Sequence, residues 1–376
     1  MRSEIHDNLQ QVVTKKVLVV HPYLNDVLRG SEEVLVKILE ALIDYGHEVS
    51  LLGELPSGSI FDNLLLSNIK QIPYGSEENI KPKRFQAYRR YLFGHSKLKN
   101  NLCKEVGEMD LEISTRDTMF FIGAGKKCVA YVHFPENLTR LQKPNLKHRW
   151  FWKLFYLPII LQRTRQIKDI DLLICNSPYT KDAIMDHWGR DAEVVYPPVD
   201  IKDFQPLQKE PLVVTVGCFA PNKNFEMVTQ VAKQMPDVKF VIAGRKELVD
   251  PYYDKIATLK PDNVELIANA TRDDVSALLG KAKIYLNSCV NEAFGISVVE
   301  AMAAGCIPVV YNRGGPKETV GSYGFLYDDV EGCVKAIGEA LQSKIEISDV
   351  VERSKMFSSD VFKKNFIATL MERGFL

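Results

Sequence analysis

The chain has 376 residues, enough at roughly 150 per domain for two large domains and too many for a single small binding module. Hydrophobic residues make up 46% and charged residues 26%, which excludes a disordered tail, a collagen-like chain and a coiled coil. The 48 Lys and Arg balance the 48 Asp and Glu, so the formal net charge is zero and the protein is not built chiefly to coat nucleic acid.

In chain order, MRSEIHDNLQQVVTKK is polar, and the VLVV that follows is too short for a signal-peptide core. KKVLVVHPY reads as a buried first strand, with a turn at Gly30. SEEVLVKILEALIDYG predicts a helix with Val34, Ile38 and Leu42 on one face, capped by Ser31 and stopped at Gly46. HEVSLLG, CVAYVHF and DLLICNS are further strands. The prolines and charges of PPVDIKDFQPLQKEP (197–211) read as a linker. PLVVTVGCF, a helix carrying Phe225, Val228, Val231 and Met235, and KFVIAGR then start a second βαβ series. NVELIAN, DDVSALLGKA, IYLNS, GISVVEAMAAG and CIPVVYN continue it.

The expected fold class is α/β: two doubly wound Rossmann-like lobes with an interlobe cleft, a first domain over 1–201 and a second over 202–350. Ligands of open parallel sheets bind beyond the carboxyl ends of strands. Candidate residues at such ends are His21, Gly30, His133, Asn176, Gly217 to Lys223, Arg245, Ser288 to Glu292 and Asn312 to Lys317.

The seven cysteines are widely spaced, with no C-x-x-C pair, which fits a reducing compartment. The longest apolar run, LFYLPIIL (154–161), is far short of the roughly 20 residues that span a bilayer.

The chemistry concentrates in SCVNEAFGISVVEAMAAGCIPVVYNRGGPKETV (288–320). Glu292 lies in the loop after a strand, Gly295 opens a helix, and Glu300 follows Glu292 by eight residues, about two helical turns. Both carboxylates then share a side, where they suit sugar hydroxyls and a ribose diol. The helix N-terminus at Phe294 to Ile296 offers backbone N–H groups and a positive dipole end for phosphate or sugar oxygen. The competing reading is of two solvated helix acids.

This segment resembles the E-x7-E region of retaining glycosyltransferases of family 4, and NEAFGISVVEAMAAG…GGPKE is similar to the subgroup that mannosylates lipid-linked oligosaccharides. YVHFP (131–135), CNSPYTKDAI…W (175–188) and VVYPPVDIKDF (194–204) resemble it in the same order. The resemblance implies the two-lobed GT-B fold, and transfer of a hexose from a nucleotide diphosphate sugar with retention. It also implies that no metal or other cofactor is needed, and that residues 351–376 form a helix packing back on the first lobe. GDP-mannose is the expected donor and a glycan or polyprenol-linked glycan the expected acceptor. A UDP-sugar transferase, a nucleotide-sugar epimerase of similar fold and a catalytically impaired relative stay open.

Position by position, the resemblance implies that Glu300 holds the ribose hydroxyls and Glu292 the hexose. Backbone at Ala293, Phe294 and Gly295 meets sugar and phosphate. His133 approaches the anomeric centre, Gly30 leaves room for the diphosphate, and Gly217 is a further donor-binding candidate. After VVTVG the family usually shows an Arg and a Lys that neutralise the leaving group; VGCFAPNKN keeps Lys223 but has Cys218 and Ala220 at the Arg positions. Arg245 is the candidate substitute and Lys317 a second.

Other patterns are read as decoys. DID (169–171) precedes a strand and reads as a helix–strand junction, not a metal site. IGAGKK (122–127) lacks P-loop spacing and reads as a hairpin-like turn. Residues 81–168 hold nineteen Lys or Arg against six Asp or Glu. Trp150, Trp152, Phe155 and Tyr156 lie among Lys147, Arg149, Lys153 and Arg163, which suits an anionic membrane surface. The expected location is cytoplasmic, peripheral on the inner membrane face, with no nucleic-acid partner.

Overall fold

A computed structural model describes residues 13–21, 30–53, 69–72, 105, 107–115, 123–135, 149–246 and 251–376. The chain forms two compact units, one of Met1–Tyr196 with Phe362–Leu376 and the other of Pro197–Val361.

In the first unit, strands β1 (Lys16–Val20), β2 (Glu48–Leu52), β3 (Lys70–Ile72), β4 (Met109–Ser114), β5 (Gly125–Val132), β6 (Leu172–Cys175) and β7 (Glu193–Val194) form a sheet of order β3-β2-β1-β4-β5-β6-β7. Every described pairing is parallel, which requires crossover segments between strands. The helices described here are α1 (Gly30–Asp44), α2 (Arg149–Asp169), α3 (Pro178–Trp188) and α11 (Ser359–Glu372), whose residues from Phe362 onward belong to this unit.

In α1, Val34, Leu35, Ile38, Leu39 and Leu42 are fully buried, the stripe that its helical period prescribes. Gly46, at φ +82°, turns the chain out of the helix, and its N–H donates to the Ile43 carbonyl. Ser31 lies inside the helix, which begins at Gly30, so it is not the cap; its hydroxyl donates to Glu32. Ser177 caps α3, accepting from the Thr180 N–H, with Pro178 in the first turn and Gly189 closing the far end.

Helix α11 lays Phe362, Phe366, Ile367 and Leu370 into the core beneath β1, β4 and β5, beside Val17, Ile113 and Tyr131. Phe366→Ala should cost about 3–5 kcal/mol, the usual effect of emptying a buried phenylalanine site, read as a lowered urea midpoint.

The second unit repeats the plan. Strands β8 (Glu210–Val216), β9 (Lys239–Gly244), β10 (Val264–Ala268), β11 (Ala282–Asn287), β12 (Ile307–Tyr311) and β13 (Phe325–Tyr327) take the order β10-β9-β8-β11-β12-β13. Their pairings are parallel. The helices are α4 (Phe225–Gln234), α5 (Tyr252–Leu259), α6 (Arg272–Lys281), α7 (Ile296–Ala303), α8 (Gly315–Val320), α9 (Val330–Gln342) and α10 (Ile347–Ser354). In both sheets the strand order reverses beside the first strand, between β1 and β4 and between β8 and β11. Such reversal leaves a crevice at the carboxyl ends, where doubly wound folds bind ligands.

Three expectations besides the Ser31 cap need correction. Segment 197–211 is not a free linker: Phe204 sits in the second unit's core with Leu212 and Met302, and Val199 bridges to Ser358. IGAGKK is not a hairpin: Gly125 begins β5, which runs parallel to β4. A Cβ on Gly125 would lie 2.5 Å from the Glu112 nitrogen, so glycine there permits close strand approach. Arg163 is buried, because it shares a face of α2 with Ile167 one turn on, and that face is the packed one.

DID lies at the α2–β6 junction, where Asp171 accepts from the Cys128 N–H. Residues 81–104 and 136–148, Lys147 among them, lie outside the described residues. Within α2, Leu157 and Leu161 are exposed.

Candidate functional site

In the second unit, the loops after β8 and β11 flank the reversal point, and the sequence places Lys223 on one and Glu292 on the other. Lys223 Nζ donates to Glu292 Oε2 at 2.7 Å, with side chains only 25% and 23% exposed. The lysine comes from a single 3-10 turn, Pro221–Lys223, closed by Asn224 at φ 52°. Its carbonyl is fixed by the Ser288 hydroxyl at 2.6 Å. Burial works against the Lys223 ammonium, but the adjacent Glu292 carboxylate outweighs it, and the pKa lies above the ordinary lysine value. Gly217, at the end of β8, packs against the Lys223 stem.

Cys289 lies in the same cluster, where burial, reinforced by Glu292, pushes its thiol up to about 11. Among the described residues all cysteines are free of disulfides.

The Glu292 backbone is held from the other side by the GGP loop. The Gly315 N–H donates to the Glu292 carbonyl at 3.0 Å. A Cβ on Gly315 would fall 2.1 Å from the Ala293 oxygen, and one on Gly314 would fall 2.6 Å from the Glu292 oxygen. Only glycine allows this approach. Gly295, at φ 91°, is the N-cap of α7, with no side chain capping the helix. Phe294 is buried, its ring edge-on to Phe357, and its carbonyl accepts from the Thr319 hydroxyl. The positive end of α7 therefore opens onto the Glu292 loop.

Glu300 lies on α7 with a side chain 13% exposed. Burial raises its pKa above the ordinary carboxylate value, Arg272 opposes the rise and Asp203 adds to it. Arg272 reaches Glu300 Oε1 at 3.4 Å, a contact that no sequence motif announces. Tyr285 of β11 donates to Ser297, tying strand to helix.

Arg245 follows β9, and its carbonyl accepts from the Phe219 N–H across the neighbouring loop that also carries Cys218 and Ala220. Lys317 is exposed in the first turn of α8.

In the first unit, His133 follows β5. Its Nε2–H donates to the Thr115 carbonyl at 2.9 Å, which makes Nδ1 the acceptor nitrogen of the neutral ring. Its carbonyl accepts from Asn176 at 2.8 Å and from Thr180. The buried His21 is 2.8 Å from the Thr115 hydroxyl through Nδ1. Strand ends β1, β4, β5 and β6 thus meet in one hydrogen-bonded cluster. Gly30 is the first residue of α1; the eight residues before it lie outside the described residues.

Residues 28–203 match Glycosyltransferase Family 4, and residues 199–357 match Glycosyl transferases group 1. A curated relative from Dictyostelium discoideum, a GDP-Man:Man(3)GlcNAc(2)-PP-Dol alpha-1,2-mannosyltransferase, is 25% identical over 66% of this chain and 60% of its own length. The Homo sapiens protein of that description is 30% identical over 53% of this chain and 48% of its own length. The Candida glabrata one is 26% identical over 82% and 71%. The chain thus spans between about half and 60% of the first two relatives.

Among solved structures, Anabaena HepE in complex with UDP and glucose superposes with a TM-score of 0.69 at 17% identity, over 95% of this chain and 99% of that one. Sucrose-phosphate synthase from Thermosynechococcus elongatus gives 0.73 at 15%, over 95% and 98%. These are likenesses of fold, and the two parallel-sheet units are those of the GT-B fold.

Proposed function

The chain belongs to glycosyltransferase family 4, and from that premise we propose that it moves mannose from GDP-mannose onto a polyprenol-linked glycan, with retention at the anomeric carbon. The observation that carries the reading is the Lys223–Glu292 pair at the reversal point of the second sheet, beside the start of α7. The two charges satisfy each other while half-buried, so neither is left uncompensated. On donor binding the diphosphate takes the ammonium and the sugar hydroxyls take the carboxylate. As the sugar–phosphate bond breaks, Lys223 and the dipole of α7 stabilise the charge growing on the leaving group. Glu300 accepts from the ribose diol. Arg245 supplements Lys223 where Cys218 and Ala220 lack charge. Gly30 and His133 keep the roles that the resemblance implies, beside diphosphate and sugar. The chemistry asked of these residues needs no metal.

We place the protein at the cytosolic face of a membrane. Supporting this are the excess of cations in 81–168 and the exposed Leu157 and Leu161. The PP-Dol acceptors in the names of its relatives point the same way. Among the described residues, no helix is long and apolar enough to cross a membrane.

GDP-mannose should raise the melting temperature, whereas UDP- and dTDP-sugars at equal concentration should not. Binding needs the Glu300 carboxylate, whose pKa is raised, so affinity falls on acidification while an ordinary glutamate would still be charged. A UDP-sugar giving the larger shift would reassign the donor.

A further inference from the structure

Arg272, the first residue of α6, touches three things at once. Its Nε donates to Asp203 Oδ2 at 2.9 Å, its Nη1 to Glu300 Oε1 at 3.4 Å, and its guanidinium lies 5.1 Å from the centre of the Phe204 ring. Phe204 is itself a core residue, so the platform under the guanidinium is fixed. Ser276, one turn along α6, donates to the Asp203 carbonyl at 2.6 Å and clamps the same turn to the helix. Arg272 is therefore held at Asp203 and over the Phe204 ring, with its Nη1 turned to Glu300.

We propose that Arg272 is the positioning residue for donor binding, holding the Glu300 carboxylate in one place as a ready acceptor for the ribose hydroxyls. The proposal rests on the assignment of Glu300 to the ribose given above. A carboxylate on a helix flank, with most of its surface removed from water, has two ways to lose that function: it can rotate away, or it can take up a proton. A guanidinium anchored at its other end by Asp203 opposes both, because it supplies a directional donor and a positive charge.

The groups acting on Glu300 come from separate elements. Arg272 of α6 favours the charged form, Asp203 of the 3-10 turn Ile201–Asp203 disfavours it, and the Tyr285 hydroxyl of β11 lies within electrostatic reach. Helix α10 also packs on α7, but its Arg353 donates to the Glu318 and Thr319 carbonyls. The other charged residues on elements that pack against α7 are Lys202 of the 3-10 turn, Asp273, Asp274 and Lys281 of α6, Lys283 of β11, Lys317 and Glu318 of α8, and Asp349 and Glu352 of α10, and none of them is among the causes of the shift at Glu300. Among the groups acting on this carboxylate, Arg272 is the cation that favours its ionised form, against burial and Asp203.

The test is titration calorimetry with GDP-mannose from pH 5 to 8 on the whole chain and on Arg272→Ala, Arg272→Lys and Glu300→Gln. Arg272→Ala should weaken binding at neutral pH by about tenfold, as for loss of one charge-assisted contact, and should move the acid limb to higher pH. Arg272→Lys should return the limb most of the way, because the charge is restored. Glu300→Gln should bind weakly, with no acid limb. An Arg272→Ala limb that coincides with the parent's, while Glu300→Gln abolishes it, overturns the positioning role, since a merely structural arginine would lower the melting temperature alone. If Glu300→Gln binds as the parent does, the ribose assignment itself fails.

Discussion

Lys223→Ala should lower the rate of sugar transfer by about 10²–10³-fold, the usual effect of deleting one preorganised donor to developing negative charge. Three features make the effect large. In the proposed site Lys223 carries most of the charge offered to the diphosphate, because Cys218 and Ala220 are uncharged and Arg245 only supplements it. Its pKa lies above the lysine norm, so it is charged at any working pH. Its placement is fixed by the Ser288 contact to its own carbonyl and by the packing of its stem on Gly217. Removing it also strips Glu292 of a partner 2.7 Å away, leaving a half-buried carboxylate uncompensated beside the sugar. Turnover of radiolabelled donor measures the loss; Lys223→Arg should recover part of it and Arg245→Ala should cost less. Unchanged turnover in Lys223→Ala would remove the lysine from the reaction.

Gly315→Ala has the second large effect and involves no charge. The added methyl would fall 2.1 Å from the Ala293 oxygen and 2.7 Å from the Phe294 Cα, both backbone atoms that cannot rotate aside. The loop carrying Glu292 must shift, breaking the 3.0 Å bond from the Gly315 N–H to the Glu292 carbonyl. A displacement of about 1 Å at a reacting group costs about 10²-fold in rate. Overpacking of this kind also costs about 1–3 kcal/mol in stability. Activity should therefore fall far more than the melting temperature predicts, with donor affinity falling in parallel. Full activity would mean that the Glu292 loop does not need its glycine buttress.

Much of the fold was legible because parallel strands buried on both faces read as continuous apolar runs, and VLVV, VVTV and FVIA do. Edge and short strands were not: KQI at β3 and FLY at β13 have too few residues for a periodic signal. The 197–211 segment misled for a related reason. Prolines and charges announce irregular backbone, but they do not reveal that a single phenylalanine, Phe204, anchors it in the core.

Within the site, Glu292 and Glu300 stood out through their spacing and Lys223 through the family resemblance. The pairing of Glu292 with Lys223 spans 69 residues and could not be read from either loop. Arg272 was invisible because its partners, Asp203 and Glu300, are contributed by a turn and a helix distant in sequence, and only the packing of α6 and α7 brings them to it. Ser31 shows the opposite error: a good capping residue in sequence became an interior helix residue because the helix starts one position earlier, at Gly30.

Transfer of mannose to a lipid-linked glycan at the Lys223–Glu292 site, as proposed, can be followed in a single assay. The most direct measurement incubates the full chain with GDP-[14C]mannose, with and without a polyprenol-diphosphate-linked oligosaccharide, and follows label into the organic phase together with release of GDP. Both should occur only with the acceptor present, and both should collapse in Glu292→Ala. Release or conversion of the nucleotide sugar without acceptor, or transfer undiminished in Glu292→Ala, would contradict the proposal.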